Sequence, residues 1–287
     1  TIDLKEKIAN LYKESIKIID SRHDNHPVRV IQSIKSIIGI NPTKPLSNLL
    51  VFSLDYLNAY NKNDIISNFK DISIPEVITL ADLELSLINK DIGKSERYIH
   101  YLSKVSDGKH ILEFLLEFSI KYNLRSSFVV WSVYKMMLFL GGHNILESLI
   151  FSIHCIVNEE TVCINKKNNT NAIDLQNYVY NRETFPLFLM YYSILKEDLV
   201  RSDNISRYIF RNMCDTFKFS NNRLKYNIYD NQVLEGRKWL NKFLGTIDYK
   251  SLNSELIIMI ELSRGALKVA QNGEVEMIWG CLNKYLD

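Results

Sequence analysis

The chain has 287 residues, 46% of them hydrophobic and 24% charged, with 35 basic against 33 acidic side chains. That length accommodates one large helical domain or two closely packed ones. So even a charge argues against a nucleic-acid or anionic-membrane partner, because such binding rests on a concentrated basic surface.

Ten glycines and five prolines leave few breakpoints, which favours long helices with short connections. In chain order, the first predicted helix runs from about Asp3 to Asp20, with Leu4, Ile8, Leu11, Ile18 and Ile19 on its inner stripe. SRHDNHP follows as a loop, and Pro27 suits the first turn of the next helix. That helix points Val30, Ile31, Ile34, Ile37 and Ile38 inward and stops at Gly39. An apolar helix over Leu46–Tyr60, a short one over Asp64–Phe69 and one opened by Pro75 come next. The last of these has Val77, Leu80, Leu83 and Leu87 on one face. Ser106-Asp107-Gly108 then separates helices over Lys94–Val105 and Lys109–Tyr122.

The most apolar stretch is Ser126–Val157. Phe128–Leu140 is apolar nearly all round, as expected of a helix surrounded by other helices. Gly141-Gly142-His143-Asn144 breaks the pattern, and a second helix resumes through Leu146, Leu149, Ile150, Ile153 and Val157. This hairpin is the expected central packing unit. Lys135 and the Gly-Gly break keep any apolar run below the ~18 residues of a membrane helix. With no leader pattern at the N-terminus, no membrane association and a cytoplasmic location are the expectation.

Asn158–Thr170 is the most polar long interval and the best boundary. It suggests an N-terminal lobe, 1–157, holding all six histidines, and a C-terminal lobe, 171–287, with one continuous domain as the alternative. Helices are expected over Ala172–Tyr180, Phe185–Lys196, Ile205–Phe217, Gln232–Phe243, Leu252–Ala270 and Glu274–Leu286. The Tyr/Ile alternation between Phe217 and Asp230 permits a small hairpin. About thirteen amphipathic segments with mostly short connections read as all-α: a multi-helix bundle or an irregular α-solenoid of antiparallel hairpins. Neither the tetratricopeptide nor the ankyrin signature is present.

Cys155, Cys163, Cys214 and Cys281 are dispersed without a CxxC pair and read as buried thiols. His143, Glu147 and His154 fall near one line of a helix, since eleven residues complete about three turns. With a further ligand they suit Zn or non-haem Fe, although three turns are too far for His143 and His154 to share an ion unaided. The plain alternative is a capping His143 and a His154 that bonds between helices. His110, Glu113 and Glu117 form a second row, extended by Lys121. A single polar stripe on an apolar helix usually faces water, and Glu117 with Lys121 has the orientation of an i,i+4 ion pair. Glu96 and His100 read as a surface pair, and His23 and His26 as loop residues. No phosphate loop, dinucleotide fingerprint, zincin, nucleophile-elbow or kinase motif is present.

Two expectations of function follow. The first is an interaction or scaffold protein that holds a peptide or protein partner in a groove between helices. The alternative is a helical metal-dependent oxygenase or hydrolase using Fe or Zn, with ligands drawn from His100, His110, Glu113, His143, Glu147 and His154.

Overall fold

Helix limits follow local start and stop chemistry. The computed structural model describes residues 2–19, 23–62, 77–159, 178–179, 181, 183–219 and 228–287. In the first half the helices are α1 (Ile2–Ser15), α2 (Pro27–Ile38), α3 (Ser47–Asn58), α4 (Leu80–Ile88), α5 (Ile92–Val105), α6 (Gly108–Lys121), α7 (Ser126–Leu140) and α8 (Ile145–Val157). The second half contributes α9 (Phe185–Leu195), α10 (Ser202–Thr216), α11 (Asp230–Glu235), α12 (Arg237–Thr246), α13 (Ser254–Val269) and α14 (Asn272–Leu286). The molecule is an all-α multi-helix bundle.

Pro27 occupies the first turn of α2, as expected, and Gly39 closes that helix. The Thr79 and Asp82 side chains form a reciprocal capping box on α4, and Asp91 and Asp107 cap α5 and α6. Gly141 ends α7 in the left-handed conformation, φ 67°, with its N–H bonded to the Met137 carbonyl at 3.0 Å. The single helix expected over Gln232–Phe243 is instead two, α11 and α12. They are divided at Gly236, whose φ 53° and ψ −134° lie where a Cβ is not tolerated.

The expected hairpin of α7 and α8 lies in the interior. Twelve of the fifteen residues of α7 are buried, because α2, α6 and α8 all pack on it. Helix α13 plays the same part in the other half, lying against α2, α9, α12 and α14. Contacts between α2 and α13 and between α6 and α10 join the two halves of the chain.

Phe217–Asp230 does not supply both strands of a hairpin among its described residues. Strand β2 (Lys218–Phe219) pairs antiparallel with β1 (Tyr178–Val179), far upstream, in register Tyr178 to Phe219. Of the helix expected over Ala172–Tyr180, the two described residues Tyr178 and Val179 are strand. The Asp64–Phe69 helix, Pro75 and Cys163 lie outside the described residues. Cys155 and Cys281 are buried, whereas Cys214 is exposed. Among the described residues no helix is long and apolar enough to cross a membrane.

Candidate functional site

The sequence-selected side chains disperse over several faces. His143 sits in the exposed turn between α7 and α8, and Glu147, in the first turn of α8, is also exposed. His154 points elsewhere: its Nε2 lies 2.8 Å from Glu96 Oε1 on α5. Glu96 thereby bridges α5 and α8. His100 is half-buried on α5 and His110 is exposed in the first turn of α6. Among the described residues no three His, Cys, Asp or Glu side chains come together as a metal site.

The α6 stripe behaves differently from its sequence reading. Glu113 is fully buried and Glu117 nearly so, because α10 and the turn before it cover that face. Glu113 Oε2 accepts from the Arg201 backbone N–H at 3.2 Å, and Arg201 Nε donates to Glu117 Oε2. Lys121 meets Glu84 rather than Glu117. His26 is likewise no surface loop residue. It is fully buried, its Nδ1 accepts from Val28 N–H at 3.1 Å, and its Nε2 lies 2.8 Å from the Ile18 carbonyl oxygen. Burial pushes its pKa down to about 3, because a charged imidazole there would be desolvated.

A cavity of about 780 Å³ opens where the two halves meet. Its wall is drawn from the first turns of four helices: Arg29 on α2, Ser127 and Phe128 on α7, Pro186 and Leu187 on α9, and Glu255 on α13. Asn123 and Leu124, from the α6–α7 turn, and Tyr191, Ile258, Met259 and Tyr285 complete it with Asp24, Asn25, Arg125, Glu183 and Thr216. Asn123 makes the sharp reversal into α7 with φ 52°, a conformation that Asn tolerates better than most residues. Helix N-termini carry partial positive charge. Two of these four are capped by neutral side chains, His26 on α2 and Asn253 on α13, and α9 starts at Thr184 without a side-chain cap. Only α7 has a charged cap. Glu159, at the start of the polar interval, folds back so that Oε2 accepts from Ser126 N–H at 2.8 Å.

Arg29 is the chemically distinctive group of the wall. It is 5% exposed, and its guanidinium carbon sits 4.1 Å from the centroid of the Phe128 ring. Nη1 donates to the Asp24 carbonyl oxygen at 2.7 Å, while Nη2 is buried with no hydrogen-bond partner. Burial lowers its pKa to about 10, opposed by Asp24 and Glu261, so the group stays cationic at neutral pH. The Asp24 carboxylate is taken by Arg125, whose Nη1 lies 2.5 Å from Oδ2. Arg29 thus carries a buried charge with a ring face and one carbonyl for company. Arg125, Glu183 and Glu255 are exposed and form the rim.

No sequence motif singles out Arg29. Its signal was a lone basic residue at an otherwise apolar turn, PVRVIQSI, a position that burial rather than solvent claims. Comparison of the chain with family models, with curated proteins and with solved structures returned no match.

Proposed function

We propose that the chain is a helical binding protein that takes a segment of a peptide or protein partner into the cavity between its two halves. The observation that carries this reading is the cavity itself, about 780 Å³ at the seam between the halves, with the buried Arg29 cation in its wall. The size also fits, since ligand cavities typically span roughly 300–1,000 Å³ and combine apolar walls with a few polar anchors. Leu124, Phe128, Leu187, Ile258 and Met259 supply such walls here.

Recognition suits the remaining charges better than catalysis does. Glu183 and Glu255 are solvated at the rim, and Asp24 is engaged by Arg125, so none is an idle acid or base inside.

The test is a peptide selected for binding by display and then titrated against wild type and Leu187→Trp. Leu187 lies half-buried in the first turn of α9, where an indole occupies cavity space without entering the central core. The expected result is at least tenfold weaker binding with an unchanged far-ultraviolet spectrum. Equal affinity would remove the cavity as the binding site.

A further inference from the structure

We propose that Lys35 is a carbamate-forming site: its ε-amine takes up carbon dioxide, and neighbouring cations at the seam between the two halves hold the product. Lys35 lies in the last turn of α2, at the opposite end of that helix from the cavity. Three observations distinguish this amine. It is half-buried, yet it carries no hydrogen bond and no ion pair among the described residues. Its close contact is a ring, that of Phe139 on α7, whose centroid is 5.4 Å from Nζ. Second, solvent reaches the nitrogen. Arg29 Nη2 and Arg264 Nε are unpartnered and sealed off, and Lys35 Nζ is not among such atoms. Third, its charged neighbours are mostly cations. Lys135 on α7 and Arg264 on α13 repel its charge, and Lys5 on α1 lies over the same Phe139 ring, 5.6 Å from the centroid. Glu261 on α13 attracts it, but Oε1 of that carboxylate is shared between Gln32 Nε2 at 3.2 Å and Arg264 Nη2 at 3.4 Å. Lys135 also pairs with Glu197, at 2.7 Å.

These surroundings favour both the reacting amine and its product. Burial, helped by Lys135 and Arg264 and opposed by Glu261, brings the Lys35 pKa down to about 8. At pH 7 roughly one amine in ten is then neutral, against about one in three thousand for an ordinary lysine. Only the neutral form has the lone pair that attacks. That pair bonds to the carbon of carbon dioxide, one C=O pair moves onto oxygen, and a nitrogen proton leaves to solvent. An amine and carbon dioxide thus give a carbamate anion and a proton, with no oxidant or further reactant. The charge at this point turns from positive to negative, so Lys135 and Arg264, which repel the ammonium, attract the carbamate. Carbon dioxide is small and apolar, which suits an amine lodged between a phenyl ring and packed helices. Because α2 and α7 belong to the first half and α13 to the second, the carbamate ties the halves together.

The full chain, equilibrated with carbon dioxide from bicarbonate at about pH 8, is trapped by O-ethylation with triethyloxonium ion and mapped by peptide mass spectrometry. Lys35 is expected to carry the trapped group at least tenfold more often than the average lysine, and no more often once the chain is unfolded in urea. An even spread over the lysines of the folded chain overturns the proposal, and this comparison on wild type needs no variant to fold. In Lys135→Gln the Lys35 share is expected to fall at least threefold, because the loss of that cation favours the ammonium and leaves the carbamate less well held. An unchanged share there overturns the role given to the cations.

Discussion

A buried imidazole dominates the pH dependence expected of this chain's stability. His26 Nδ1 accepts from the Val28 N–H and therefore cannot carry a proton without breaking the cap of α2. The ring also packs 5.1 Å from that of Phe151, and the Ile18 carbonyl bonded to Nε2 offsets only part of the desolvation of a positive charge there. Its pKa of about 3 in the fold stands against 6.5 when unfolded, so the unfolded chain takes the proton first. Stability from this group is complete above about pH 6.5 and is lost as pH falls toward 3. Desolvation lowers the His23 pKa as well, opposed by Glu159, and adds to the same trend. Between about pH 6.5 and 5 most carboxylates remain ionised, so urea midpoints over that window isolate the histidines, at up to ~1.4 kcal/mol per pH unit for each proton. In His26→Asn, which keeps a capping acceptor and does not titrate, the slope is expected to fall by about one proton; an unchanged slope would exclude His26 as its source. The sequence shows His26 only as a residue before proline in a polar loop. Its burial comes from α8, through Phe151, and a contact that distant leaves no local mark.

At the scale of elements, what was legible is what is chemically local. The first turn at Pro27, the stop at Gly39 and the break at Gly141 are set by backbone geometry within a few residues, and the helix limits there match expectation. The α6 stripe departs from the sequence expectation because amphipathicity reports polarity and not solvent. Glu113 and Glu117 are polar, yet α10 delivers Arg201 to both, so the stripe faces a partner helix. Likewise, nothing in the run around Gly236 distinguishes a tolerated helical glycine from one held at φ 53°. A tighter constraint operates where α6 begins. A Cβ on Gly108 would lie 2.2 Å from Ile145 Cγ1, at the start of α8, closer than atoms can approach. Gly108 has an ordinary helical backbone, so the obstacle is steric alone. Gly108→Ala is expected to destabilise the chain by about 1–3 kcal/mol, the usual cost of overpacking. Made in an Ile145→Ala background, the same change is expected to cost little, since the obstructing atom is gone. Thermal or urea unfolding of the four variants checks this, and additive effects would rule out the contact.

Across the whole molecule, the two halves complete one another's polar chemistry, and this determines how the chain unfolds. Helix α2 is buried at ten of its twelve positions, and Gln32 Nε2 on it donates to Glu261 Oε1 on α13 at 3.2 Å. The C-terminal end of α6 is finished by α10, where Asn212 Nδ2 donates to the Ile120 carbonyl oxygen at 2.7 Å and Arg211 donates to that of Lys121. Loss of the second half would strand these groups and the Glu113 and Glu117 carboxylates in an apolar surface, at a cost of about 1–3 kcal/mol for each unsatisfied partner. The cavity belongs to the same seam, with Arg29 and Phe128 on one side and Leu187 and Met259 on the other. We therefore expect one cooperative transition rather than separate melting on either side of the polar interval. The tryptophans make the test direct. Trp131 is buried against Tyr134 in the first half, while Trp239 and Trp279 meet edge-to-face in the second. In Trp131→Phe, fluorescence reports the second half alone, and far-ultraviolet ellipticity reports the whole. Coincident urea midpoints, with one slope appropriate to the full chain, are the expected result. A fluorescence midpoint displaced from the ellipticity midpoint would mean that the halves fold independently, and that the cavity between them opens and closes at less than the cost of global unfolding.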